Sequence, residues 1–221
     1  MKPRMRVLLL DLDGTLTDPK LGITTCIRYA LERLGRTPPP ADELLWCIGP
    51  PLIHSFRTLV GEAEAERAQT IYRERFATLG MFENELYPGI MDAVAAQAAQ
   101  GRKIYLATSK AHVFAKPILE HFGLAQYFAG IYGSELDGTR IDKPDLLEYI
   151  AGCEGIARGD AIMVGDRRFD VEGARHIGAI SVWADWGYGA AGERDEAGPD
   201  VICGAPGDLG RVLSALDEAA G

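Results

Sequence analysis

Two aspartates, Asp11 and Asp13, stand where the apolar run Val7-Leu8-Leu9-Leu10 gives way to Gly14. Carboxylates this close repel unless a cation or a shared proton lies between them. Gly14 permits a turn that would let both face one crevice. A lone Asp-x-Asp reads as well as a strand ending in an Asx-rich turn. The complete run Asp11-Leu12-Asp13-Gly14-Thr15-Leu16-Thr17-Asp18 behind a hydrophobic strand favours the chemical reading.

Three further clusters follow in order. Leu106-Ala107-Thr108-Ser109-Lys110 offers hydroxyls and backbone N–H groups that can hold the oxygens of an anion, although Thr-Ser after a strand is often only a helix N-cap. Lys143-Pro144 places a cation before a helix, where a solvated charge is the ordinary reading unless the lysine reaches back toward the acids. Val164-Gly165-Asp166-Arg167-Arg168-Phe169-Asp170 repeats the strand-then-acid pattern, with a second acid one helical turn on. Asp166 and Asp170 can join Asp11 around one hard cation, the alternative for Asp170 being support of a helix N-terminus.

Such groups meet only if strand ends bring them together. Apolar runs at residues 6–11, 103–107, 129–132, 161–164, 180–183 and 200–203 predict strands. Helical patterns at 90–99, 113–122, 146–151 and 171–176 lie between most of them. The alternation predicts a doubly wound, Rossmann-like parallel sheet, whose active site lies beyond the C-terminal strand ends. Residues 16–85 break the rhythm. They show no strand, only helical periodicity at 23–34, 42–47, 52–60 and 62–79, with breaks at 35–40, 49–51 and 61. The expected organisation is therefore an α/β core of residues 1–16 and 86–221, with an all-helical cap, 17–85, inserted after the first strand. Its connections would be 16–19 and 85–89.

Composition narrows the partners. The chain has 221 residues and a net charge of −9 with both signs mixed throughout, which argues against a nucleic-acid polymer but leaves a small anionic metabolite open. No stretch approaches the ~20 apolar residues of a membrane span. The apolar run after the basic N-terminus is too short for a signal peptide, so a cytoplasmic protein is expected, as a monomer or small homo-oligomer. The four cysteines form no Cys-x-x-Cys pair, so neither a zinc site nor a disulfide framework is expected.

Taken together, the four motifs resemble those of the haloacid dehalogenase-like hydrolase superfamily, over essentially the whole chain. The likeness extends to its phosphoglycolate phosphatase-like group with a helical cap. Within that group, Cys47-Ile48-Gly49-Pro50-Pro51-Leu52, Gly80-Met81-Phe82-Glu83-Asn84 and Leu136-Asp137-Gly138-Thr139-Arg140 resemble a 5′-nucleotidase-like branch. The resemblance implies Asp11 as nucleophile, forming an aspartyl-phosphate, and Asp13 as general acid and base. It implies Mg²⁺ held by Asp11, the main-chain carbonyl of Asp13 and Asp166, with Asp170 acting through water. Thr108 and Lys143 would bind the transferring phosphoryl group. Thr15, Ser109, Lys110 and Arg57 are the candidate substrate contacts; for Lys110, Arg57 and also Lys20, a solvated surface charge is the default reading. The implied activity is phosphomonoester hydrolysis, with a nucleoside 5′-monophosphate first among substrates and phosphoglycolate second. Phosphomutase chemistry or a non-catalytic phosphate-binding module stands behind these. Asp13 favours phosphate chemistry, because carbon–halogen cleavage leaves no alkoxide to protonate.

Overall fold

The structure is a computed structural model describing residues 6–219, so the outermost parts of the expected core, 1–5 and 220–221, lie outside the described residues. In chain order, β1 (Val7–Leu10) leads through a turn to β2 (Thr17–Asp18). The helical segment holds α1 (Lys20–Arg33), a 3₁₀ stretch (Ala41–Cys47), α2 (Leu52–Val60) and α3 (Glu62–Arg75). After a π-helical turn at Phe76–Gly80 the chain returns through β3 (Glu85–Leu86). There follow α4 (Ile90–Ala99), β4 (Ile104–Ala111), α5 (His112–His121), β5 (Gly130–Ser134), α6 (Lys143–Glu154), β6 (Ala161–Gly165), α7 (Arg168–Ile177), β7 (Ile180–Ala184), α8 (Ala191–Ala197), β8 (Val201–Cys203) and α9 (Leu209–Glu218).

Six strands form one parallel sheet in the order β5-β4-β1-β6-β7-β8. The chain winds outward from β1 to β4 and β5, then crosses back to β6, so the order reverses at β1. That reversal is the crevice where α/β sheets bind ligands. The register makes it functional: Leu10 aligns with Leu106 of β4 and with Val164 of β6. The residues just beyond all three strands therefore emerge side by side.

The strands read as unbroken apolar runs because both sheet faces are covered. Leu8 and Leu10 pack with Ile90, Val94, Ile118 and Leu213, from α4, α5 and α9. Leu9, pointing the other way, packs with Leu146, Leu147, Ile150 and Ala174, from α6 and α7. The fold is thus the doubly wound α/β sheet that the alternation predicts.

Several expectations need adjusting. Strands do occur within 16–85: β2 and β3 pair antiparallel as Thr17 with Leu86 and Asp18 with Glu85. Two residues each are too few to leave a periodic signal. Residues 42–47 wind as 3₁₀ rather than α-helix, and the helix expected over 62–79 is α-helical to Arg75 and continues as a π-helical turn through Gly80. Helices α8 and α9 had no counterpart in the sequence reading.

Candidate active site

At the end of β1 the chain reverses tightly. Gly14 N–H donates to the Thr17 carbonyl at 2.8 Å, and Leu16 and Thr17 N–H both donate to the Leu12 carbonyl. Gly14 sits at φ +85°, and a Cβ there would lie 2.2 Å from Asp166 Oδ2. The turn thus needs glycine for its backbone and for the carboxylate beside it. Gly14→Ala is expected to destabilise the fold by at least about 2 kcal/mol, from strain and the displaced carboxylate. A urea unfolding midpoint equal to that of the wild type would mean that the turn relaxes at no cost.

Asp11, Asp166 and Asp170 come together, all buried, with one carboxylate oxygen from each lying within 4.8 Å of the others. Lys143 Nζ stands 3.0 Å from Asp11 Oδ1 and 2.7 Å from Asp170 Oδ1, and donates to the Ala107 carbonyl at 2.8 Å. Burial alone would lower the Lys143 ammonium, but Asp11 and Asp170 outweigh it and hold its pKa above the ordinary value. Burial, then the charges of Asp170 and Asp11, push Asp166 well up. Burial likewise pushes Asp170 up to about 6, against the pull of Lys143. One ammonium facing three buried carboxylates leaves negative charge uncompensated. An oxygen-only donor set of this kind fits a hard divalent cation.

Asp13 turns to a different neighbour. Its Oδ2 pairs with Lys110 Nζ at 2.7 Å, while Oδ1 is buried without a hydrogen-bond partner. Burial raises its pKa, against the nearby Lys110. The Lys110 ammonium also lies 4.4 Å from the ring centroid of Phe76, which the helical segment supplies. Asp13, Ser109 and Lys110 form the floor of a cleft whose other wall includes Gln69, Tyr72, Arg73 and Phe76. Thr108 is buried in β4 at a register irregularity between Thr108 and Ala111, and its Oγ1 accepts the Lys110 N–H at 3.2 Å. No side chain caps α5, so Thr108 and Ser109 do not serve as its N-cap.

Other expected site residues lie apart from the cleft. Thr15 is fully buried and its hydroxyl donates to Asp166 Oδ1 at 3.3 Å; it orients a carboxylate instead of facing the cleft. Arg57 is half exposed and pairs with Glu62 at 3.0 Å, away from the cleft lining. Lys20 pairs with the exposed Asp42.

Some contributors carry no chemical signature in the sequence. Gly165 and Gly173 make room: a Cβ at the first would meet Asp170 Cγ at 2.0 Å, and at the second Lys143 Cγ at 2.8 Å. The loop after β7 closes over Asp166, with Tyr188 N–H donating to Oδ2 at 2.7 Å and Trp186 Nε1 to the Thr15 carbonyl at 3.0 Å. Tyr188 also hydrogen-bonds Asp18 in β2 through its hydroxyl. Among the described residues no helix is long and apolar enough to cross a membrane.

Comparison with known proteins bears on this geometry. A family model described as haloacid dehalogenase-like hydrolase matches residues 8–184. The chain is 41% identical over 208 residues to a 5′-nucleotidase of Pseudomonas aeruginosa, covering 93% of this chain and 94% of that protein. It is 36% identical over 197 residues to the tyrosine-protein kinase PtkA of Mycobacterium tuberculosis, covering 89% of this chain and 68% of that protein. A crystal structure of "a predicted phosphatase" from Clostridium acetobutylicum superimposes with a TM-score of 0.91 at 38% identity, covering 96% of this chain and 99% of that one.

Proposed function

Because the chain belongs to the haloacid dehalogenase-like hydrolase family and is a phosphatase of that family, we propose that it hydrolyses small phosphate monoesters, nucleoside 5′-monophosphates foremost, through a phosphorylated Asp11. The observation that carries this reading is the meeting of Asp11, Asp166, Asp170 and Lys143 at one sheet end, beside a cleft floored by Asp13. The helical segment 17–85 acts as the cap that completes the cleft.

In the first half-reaction an Asp11 carboxylate oxygen bonds to phosphorus as the ester P–O bond breaks. Asp13 gives its proton to the departing alkoxide, a role helped by the burial that raises its pKa. In the second half a water attacks phosphorus, its proton passes to Asp13, and the bond to Asp11 breaks, releasing phosphate. Splitting one displacement into two lowers each barrier. Lys143, held protonated between Asp11 and Asp170, stabilises negative charge on the transferring group and aims Asp11. Thr108 completes the cradle for the phosphoryl oxygens. Asp11, Asp166 and Asp170, with the main-chain carbonyl of Asp13, are the residues that would hold Mg²⁺. The ion when bound supplies charge neutralisation at the phosphate. Lys110, 2.7 Å from Oδ2, orients the Asp13 carboxyl toward the leaving-group side of the cleft.

The nucleotide preference is supported by the 41% identity with the Pseudomonas 5′-nucleotidase and by the aromatic and amide groups of the cleft wall, Tyr72, Phe76, Phe114 and Gln69. The test is phosphate release with Mg²⁺ across AMP, GMP, IMP, CMP, UMP, phosphoglycolate and sugar phosphates. Preference for nucleotides upholds the reading, whereas preference for phosphoglycolate keeps the mechanism and replaces the substrate. A phosphoryl group that moves to an alcohol acceptor without free phosphate would make the protein a transferase.

A further inference from the structure

We propose that Arg167 is a latch that holds residues 48–52 of the helical segment against the end of β6, closing the leaving-group cleft. The role it serves rests on the phosphatase reading above; the contacts that define it do not. Arg167 directly follows Asp166, and its backbone N–H donates to Asp170 Oδ2 at 3.1 Å. Its side chain runs the other way. Nη1 donates to the main-chain carbonyl of Ile48, in the helical segment. Nε faces both oxygens of Glu193, at 3.0 and 3.2 Å. Glu193 is itself fixed, because its Oε1 accepts the Arg168 N–H at 3.0 Å.

The far side of the latch is shaped to receive it. Gly49 sits at φ +102°, and a Cβ there would come 2.8 Å from Arg167 Cγ and 2.9 Å from Nη1. Ile48 is fully buried, so the grasped carbonyl belongs to an anchored residue. The next four residues, Gly49, Pro50, Pro51 and Leu52, all line the cleft that Asp13 floors. Arginine suits the position because its Nε and Nη1 are separate donors held in one rigid plane, one turned to Glu193 and the other to the Ile48 carbonyl. Across the cleft, the half-buried Arg73 donates to the Leu136 carbonyl at 3.2 Å in a hydrogen bond open to solvent. Arg167 is the better sheltered of the two bridges, with 11% side-chain exposure.

A latch of this kind matters in proportion to the size of the leaving group. One that fills the cleft needs the 48–52 loop in place; one that barely enters it does not. Arg167 is therefore a positioning residue that acts on leaving-group selection.

The experiment compares Arg167→Ala, Arg167→Lys and Glu193→Ala with the wild type, on the full chain with Mg²⁺. Two quantities are read: backbone hydrogen exchange over residues 41–49, and kcat and KM for the best nucleotide or sugar ester of the panel against acetyl phosphate. In Arg167→Ala, exchange over 41–49 is expected to rise about tenfold with β6 and α7 unchanged. KM for the large ester should rise about tenfold, while kcat/KM for acetyl phosphate stays within about twofold. Arg167→Lys and Glu193→Ala should fall between. Unchanged exchange, or an equal loss on both substrates, overturns the proposal. If the wild type releases phosphate from no ester yet Arg167→Ala still loosens 41–49, the latch stands and the phosphatase reading falls.

Discussion

The Asp11→Asn protein is expected to release phosphate at least on the order of 10⁴-fold more slowly than the wild type, while remaining folded. Removing a covalent nucleophile costs on this scale because what remains is only binding and electrostatic assistance. The substitution is nearly isosteric, and an amide oxygen is a poor nucleophile at phosphorus. It should not damage the fold, because Asp11 belongs to a group with surplus negative charge. Lys143 keeps Asp170 at 2.7 Å and the Ala107 carbonyl at 2.8 Å. Two carboxylates against one ammonium replace three, so the thermal midpoint without metal should hold or rise. Both are read on the same preparation, by phosphate release and by thermal unfolding. Turnover within tenfold of the wild type would mean that water attacks phosphorus directly and that Asp11 only supports the ion.

The same group shows where sequence reasoning reaches and where it stops. β1, β4 and β6 are legible because each is an apolar run ending in a polar motif, and a central parallel strand permits little else. Their adjacency follows from topology, which is why the sequence alone groups Asp11, Thr108, Asp166 and Asp170. Lys143 was legible only through its place in the series. Its stem passes Gly173, a residue whose importance lies in the atoms it lacks. Tyr188 serves Asp166 through a backbone N–H that every residue but proline carries, so its type gives no hint.

Misplaced expectations have an equally local cause. Thr15 and Thr108 are both hydroxyl residues near strand ends, yet the turn at Gly14 directs one hydroxyl to Asp166. Arg57 lies on a helix whose existence periodicity gives, but periodicity does not say which way the polar face looks. The break at Gly61 brings Glu62 round to meet it. Arg167 was visible as a residue of the fourth motif, but its partners Ile48 and Glu193 are distant in sequence and no pattern joins them.

Lys143→Met should lose both stability and activity, and the two losses should respond differently to Mg²⁺. The ammonium is 2% exposed and contacts Asp11, Asp170 and the Ala107 carbonyl. Methionine matches its stem where the chain threads past Gly173, so packing is largely kept and the charge is lost. Removing one partner of a buried ion pair costs about 3–5 kcal/mol, because the charge left behind is uncompensated. A divalent ion bound among the same carboxylates restores part of that charge balance. Mg²⁺ should therefore raise the thermal midpoint more in the variant than in the wild type, by linkage to the folded state. It should not restore turnover, which is expected to remain on the order of 10²–10³-fold below the wild type, since on the proposed mechanism no cation then sits where Lys143 Nζ would meet the phosphoryl oxygens. Unfolding followed with and without Mg²⁺ separates the two roles. If the metal-free variant is as stable as the wild type, its carboxylates must have taken up protons in place of the ammonium, and its stability should then fall as the pH is raised. If Mg²⁺ restores turnover along with stability, Lys143 serves only to balance charge, and the phosphoryl group is held by the ion and Thr108 alone.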